Sequence, residues 1–121
     1  MTFIREYGVK AIRKRAQCVG CLHHIEIGEP ALRWVGHVDG DFNAVAYHPE
    51  CRDAEIRLNH LHCTRFGDDW NDLSEIELDD HEWLLAEFPN VAARFGITAK
   101  TIAEHLEERR RRMFAFAKVQ P

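Results

Sequence analysis

Cys18 and Cys21 are separated by two residues, as are His48 and Cys51, and twenty-six residues lie between Cys21 and His48. Two thiols spaced as CxxC can reach one ion, because two intervening residues bring both sulfurs to the same side of a tight knuckle; Gly20 allows that turn. A histidine and a cysteine three positions apart stand one helical turn apart. At a helix N-terminus both therefore point the same way, and the helix dipole favours the thiolate. Three thiolates and an imidazole are the donor set of one tetrahedral zinc ion, so Cys18, Cys21, His48 and Cys51 are expected to bind Zn2+. That shell is closed. Hydrolytic zinc keeps a position open for water and usually has a carboxylate base nearby, and no Asp-His pair followed by Asn occurs in the order that a hairpin-and-helix nuclease site needs. The expectation is a structural ion, no catalytic residues and no enzyme.

Other uses of these residues are weaker. A CxxC can be a redox pair, but nothing of the βαβ kind flanks this one. Cys63, beside His60 and His62, could replace one ligand, yet it falls at the far end of the helix, away from the first turn. No apolar run approaches a membrane span, and the opening MTFIREYGVKAIRKR is too charged for a signal peptide. A cytoplasmic location is expected, with no membrane partner. Disulfides are rare there, so the four cysteines are expected to ligate metal or do redox chemistry and not to form bridges.

The elements that would position the ligands can be read from punctuation and periodicity. Residues 1–16 read as a short basic arm or helix, with apolar Ile4, Val9, Ala11 and Ile12 too few to be stable alone. Residues 17–63 form a cysteine- and histidine-rich unit. Within it, turn residues at Gly28 to Pro30 and Asp39 to Asp41 lie between β-prone stretches and read as a β-hairpin in which Leu32, Trp34 and Val38 face Phe42, Val45 and Tyr47 across the turn. Pro49 marks the first position of a helix whose apolar spacing is Cys51, Ala54, Leu58 and Leu61. Residues 64–71, with Gly67, read as a linker.

Residues 72–121 read as helical. Asp79 or Asp80 would cap a helix over DHEWLLAEF, Pro89 interrupts it, and a second helix runs from Asn90 to Phe95. Gly96 makes a turn, and Thr98 caps a third helix into Arg112. Charge is segregated along the chain although the net charge is only −4. Arg5, Lys10, Arg13, Lys14 and Arg15 make the start basic, whereas Asp68 to Glu87 holds acids and no Lys or Arg. Such asymmetry suggests charged partners.

The order of knuckle, hairpin and ligand-bearing helix resembles a treble-clef zinc finger over about residues 17–62. The resemblance implies a fold and a metal, and not an activity. The stretch NVAARFGITAKTIAEHLEERRRR resembles a helix-turn-helix, in particular the DNA-binding helices of quorum-sensing-type regulators and of sigma-factor region four. Ala92 stands at the close approach of the two helices, and Val91, Phe95, Ile97, Ile102 and Leu106 stand at the apolar positions. The resemblance implies that Thr98, Ala99, Lys100 and Thr101 meet base edges, that Glu104 lies one turn on, that His105 lies towards the backbone, and that Arg109, Arg110, Arg111 and Arg112 touch phosphate. Glu104, Glu107 and Glu108 on the same helix oppose this.

The resulting expectation is an α+β, mainly helical chain with a zinc-bound treble clef followed by a three-helix unit. It would be a non-catalytic DNA-binding regulator, similar to the small regulatory proteins of phages and mobile elements. The competing reading is a protein-binding inhibitor or adaptor acting through the acidic, aromatic segment Asp68 to Glu87, with Trp70 and Trp83, as a DNA mimic would.

Overall fold

A computed structural model describes residues 2–38, 40–65, 67 and 69–119. The chain divides into two compact units, Met1–Ile76 and Glu77–Pro121. It is a mixed α+β protein, and among the described residues no helix is long and apolar enough to cross a membrane.

In the first unit, strands β1 (Thr2–Val9), β4 (Ala31–Val38) and β5 (Asp41–Tyr47) form an antiparallel sheet in the order β1-β4-β5. The short strands β2 (Ala16–Gln17) and β3 (His24–Ile25) pair separately. Helix α1 (Pro49–Leu61) follows β5 directly. The β4–β5 hairpin pairs Leu32 with Tyr47 and Trp34 with Val45. Phe42, however, lies opposite His37, and Val38 pairs with Asp41. Gly40 takes φ +84° in the turn, and Asp39 lies outside the described residues.

Residues 3–16, expected as a basic helix or arm, instead begin as a strand. Arg5 to Val9 run against Val35 to Ala31 of β4. The hairpin alone leaves the outer side of β4 with unpaired backbone groups, and the β-prone residues Tyr7 and Val9 suit an edge strand better than a helix. Beyond β1, Ile12 is buried, and its amide donates to the Glu29 carbonyl (3.0 Å) while its carbonyl accepts from Gly28 N–H (3.0 Å).

The core of this unit joins Ile25, Ala31, Trp34, Tyr47, Ala54, Leu58 and Leu73. The buried face of α1 departs from the expected one: Leu61 is 51% exposed, and Glu55 and Asn59 are buried with Cys51, Ala54 and Leu58. Glu55 survives burial because its carboxylate is saturated with donors. It accepts from Tyr47 Oη (2.9 Å), Arg52 Nη1 (3.0 Å), Trp70 Nε1 (3.2 Å) and the Leu73 amide (3.0 Å). Burial, together with the adjacent Glu55 charge, pushes the Tyr47 phenol above its ordinary range, so it remains a donor. Asn59 donates Nδ2 to the Asn71 carbonyl (2.9 Å) and accepts from the Asn71 amide (2.7 Å).

Through Glu55 and Asn59 the end of segment 64–71, read as a linker, is fastened to α1. Leu73 in the following 3₁₀ turn (Leu73–Glu75) is fully buried, so the boundary between units falls after Ile76 and not at residue 71.

In the second unit a 3₁₀ turn (Leu78–Asp80) leads into α2 (His81–Glu87), then α3 (Pro89–Arg94) and α4 (Ala99–Val119). Asp80 occupies the cap position of α2 but makes no side-chain capping bond. Pro89 forces Phe88 out of helical geometry (φ −136°, ψ 67°). Gly96, at φ +69°, donates to the Ala93 carbonyl while Ile97 N–H reaches Ala92 O, both at 3.0 Å. That pair of bonds is a Schellman motif, which satisfies the last carbonyls of α3. Thr98 and Thr101 then cap α4 reciprocally, each hydroxyl accepting from the other's amide (3.1 and 2.9 Å). Leu84, Val91, Ala92 and Ile97 form the small core, whereas Leu106, expected in it, is 55% exposed. Helix α4 also continues past Arg112 to Val119.

Replacing Glu55 by alanine leaves the Tyr47 hydroxyl, the Trp70 indole N–H and the Leu73 amide without their acceptor. Chemical denaturation followed by tryptophan fluorescence is expected to show a loss of about 3–5 kcal/mol for Glu55→Ala and a smaller loss for Glu55→Gln. Equal, near-zero losses would contradict the role given to this carboxylate.

Candidate metal centre

Three elements bring the four ligand candidates together. The β2–β3 pair pinches the knuckle shut: Cys18 N–H donates to the His23 carbonyl (2.9 Å), Leu22 N–H to Cys18 O (2.8 Å), and Gln17 Nε2 to Leu22 O (2.9 Å). The residue that takes the left-handed conformation is Leu22, at φ +67°, and not Gly20. Gly20 matters for closeness. A Cβ there would stand 3.2 Å from Cys51 Cβ and 3.3 Å from both Leu73 Cδ2 and Tyr47 Cδ1.

The knuckle docks on the end of β5, where Val19 N–H donates to the Ala46 carbonyl (2.9 Å). From there β5 runs directly to His48, and Pro49 starts α1, whose first turn carries Cys51.

Cys18 and Cys51 are fully buried, and Cys21 and His48 nearly so. The four candidate ligand atoms all lie within 4.8 Å of one another. His48 presents Nδ1, 3.4 Å from Cys21 Sγ and 3.8 Å from Cys51 Sγ. Tetrahedral geometry with ordinary zinc–sulfur and zinc–nitrogen bonds puts S and N about 3.6 Å apart, between these two values. The His48 amide donates to Cys18 Sγ (3.2 Å), a contact suited to a sulfur carrying negative charge. These residues can bind a metal ion.

Electrostatics point the same way. Hydrogen bonds from Cys21 and then Cys51 hold the Cys18 thiol well below its usual range. The Cys18 contact in turn raises Cys21, and contacts with Cys18 and Cys21, with burial, raise Cys51. Three buried sulfurs cannot all ionise side by side without a cation, and a divalent ion removes that conflict.

His60, His62 and Cys63 are exposed at the far end of α1 and stand outside the cluster. The expected DNA-contact residues all lie on or beside α4, in the other unit. Thr98, Ala99 and Lys100 are exposed at its start, and Thr101 is half-buried. His105 is exposed, with its ring 6.2 Å from that of His81. The arginines are already ion-paired: Arg109 with Asp79 (2.8 Å), Arg110 and Arg111 with Glu107 (3.9 and 3.8 Å), and Arg112 with Glu108 (2.8 Å).

Comparison with protein-family models, curated proteins and solved structures gives no match to this chain.

Gly20→Ala is expected to destabilise the first unit by about 1–3 kcal/mol, since the added methyl must displace Cys51, Leu73 or Tyr47 from a packed core. It should also weaken metal retention in competition with a chelator. A variant that melts and holds metal like the parent would show that the knuckle has room to move.

Proposed function

We propose that Cys18, Cys21, His48 and Cys51 hold one structural zinc ion in a treble-clef finger, and that the second unit is a helix-turn-helix through which the protein binds DNA as a non-catalytic regulator. The observation that carries the zinc assignment is a buried donor set of three sulfurs and one imidazole nitrogen, which matches tetrahedral zinc and leaves no protein-free coordination position for water. When bound, the ion would contribute on the order of 10 kcal/mol to folding of the first unit, because no preformed site exists in the unfolded chain.

The DNA reading is supported by the α3–α4 connection. A Schellman end on α3 and reciprocal threonine caps on α4 fix two helices around Ala92 and Ile97 and leave Thr98, Ala99 and Lys100 exposed at the start of the longer helix. The ion pairs of Arg109 to Arg112 temper its strength. A phosphate must displace Asp79, Glu107 or Glu108, so the electrostatic gain per arginine is reduced and the affinity is modest.

The alternative, docking of a basic protein on the acidic segment, draws on the exposure of Asp79 and Glu82. Its aromatic component is not on display. Trp70 is half-buried and bonded to Glu55, and Trp83 is half-buried, its ring 5.9 Å from that of Phe88; Asp68 lies outside the described residues.

Elemental analysis of the purified protein should give one zinc per chain, and chelation should unfold the first unit, more readily at low pH because thiolates must be reprotonated. Retention of fold without metal would overturn the structural role. For DNA, fluorescence anisotropy with a random duplex pool should show binding that weakens steeply between about 50 and 200 mM salt and that falls on joint Arg109→Gln, Arg110→Gln, Arg111→Gln and Arg112→Gln substitution. Absence of duplex binding, with partner capture that fails on neutralising Asp79, Asp80 and Glu82, would favour the protein-binding reading.

A further inference from the structure

The two faces of the β1-β4-β5 sheet differ in what they carry. Side chains alternate across a sheet, and the register puts Glu6, Trp34 and Val45 in one row and Leu32 and Tyr47 in another of the same face. That face is covered by α1, since Arg52 of α1 donates to Glu6 (2.6 Å) and Tyr47 donates to Glu55. The opposite face carries Arg5, Tyr7, Arg33, Val35, His37 and Phe42. Ala31 and Ala46 are buried at one end of this face, but among the described residues the rest is less completely covered: Tyr7 is 40% exposed and Phe42 60%, Arg5 is exposed, and Arg33, Val35 and His37 are half-buried.

We propose that this open sheet face binds single-stranded nucleic acid. Stacking surfaces come first. The Phe42 ring meets His37 edge-on (5.8 Å between centroids), and the Arg5 guanidinium lies over the Tyr7 ring (4.5 Å). Bases of any sequence stack on aromatic and guanidinium planes, and open sheets that display them are a recurrent platform for unpaired strands. Tyr7 and Phe42 stand on opposite outer strands, about 13 Å apart along the strands and about 10 Å across them, which gives a diagonal track instead of a single point contact.

Charge supplies the second argument and commits the face to a polyanion. It bears Arg5 and Arg33 and, among the described residues, no acidic side chain. Among the described residues neither arginine is ion-paired to a carboxylate, in contrast to Arg109 to Arg112, whose charge is already opposed. Exposed Lys10, Arg13 and Lys14 follow β1 in sequence and add positive charge beside it, while Glu6 points to the α1-covered face and the other acids of this unit lie off the positions of the three strands that build this face. A duplex suits the face poorly, because its bases are stacked on one another and unavailable to Tyr7 and Phe42. The site does not depend on the helix-turn-helix assignment of the other unit.

The test uses the whole zinc-loaded protein and fluorescence anisotropy with labelled oligothymidylate and oligouridylate of about 12 nucleotides, beside a matched duplex. Single strands should bind in preference to the duplex. Tyr7→Ala and Phe42→Ala should each weaken binding about 5- to 150-fold, Tyr7→Phe should retain it, and Arg33→Gln should lower the slope of log affinity against log salt by about 0.7. Because Phe42 is on the surface, its variant should melt like the parent, which separates loss of binding from loss of fold. A preference between the two sugars would identify RNA or DNA as the ligand, and either supports the proposal. No single-strand binding at low salt, or binding indifferent to both alanine variants, overturns it. Binding abolished by substituting Arg109 to Arg112 but not Phe42 also overturns it and assigns nucleic acid to α4 alone.

Discussion

Three sulfurs and an imidazole nitrogen, packed within 4.8 Å at the point where a knuckle, a strand end and a helix start converge, set the terms for the first unit. When one sulfur ionises its neighbours are held protonated, and as three thiolates they repel. A bound cation would remove that repulsion in a buried setting. The geometry around them follows from that need. The knuckle must be tight enough for two sulfurs to converge, which Leu22 permits by entering the left-handed region, and it must sit against the helix, which Gly20 permits by having no side chain. Proline at the start of α1 fixes where the helix begins and hence where Cys51 points.

A second polar centre, one helical turn further along α1, complements the first. Glu55 gathers donors from β5, from α1 and from the segment after α1, and one turn later Asn59 bonds Asn71 of that same segment. The candidate ligands and these two residues thus divide the labour along one helix face. The first end ties the helix to the knuckle and sheet, while the rest ties it to the chain that follows. Fully paired buried polar groups of this kind define a specific arrangement more sharply than apolar contacts of equal area.

Much of this was legible because it is local. The ligand spacing, Pro49, a short helix before Gly96 (expected over Asn90–Phe95, found as Pro89–Arg94) and the Thr98 cap each depend on residues within a few positions of one another, and the structure places them close to where the residues suggest. What escaped depends on distant partners. β1 is a strand because β4, some thirty residues away, offers it an edge; taken alone, its charges suit a helix equally well. Glu55 and Asn59 look like solvent-facing residues until Tyr47, Trp70 and Asn71 are known to converge on them. Leu61 and Leu106 fit a helical apolar stripe but stay about half exposed. The knuckle's left-handed residue could not be foreseen either, since leucine pays to adopt a conformation that glycine takes freely.

The pairing of β1 with β4 has a consequence for the order in which the chain becomes structured during synthesis. As residues emerge in sequence, the knuckle appears before the other two candidate ligands, so a metal ion would at first meet only Cys18 and Cys21. β1 must stay unpaired until β4 has been made, and β4 gains its second neighbour only with β5. His48 and Cys51 arrive immediately afterwards, within one turn of each other. Closure of the sheet and completion of the ligand shell therefore become available at nearly the same moment, late and together, and a nascent chain cut short before residue 51 has neither a finished shell nor a helix to cover its sheet.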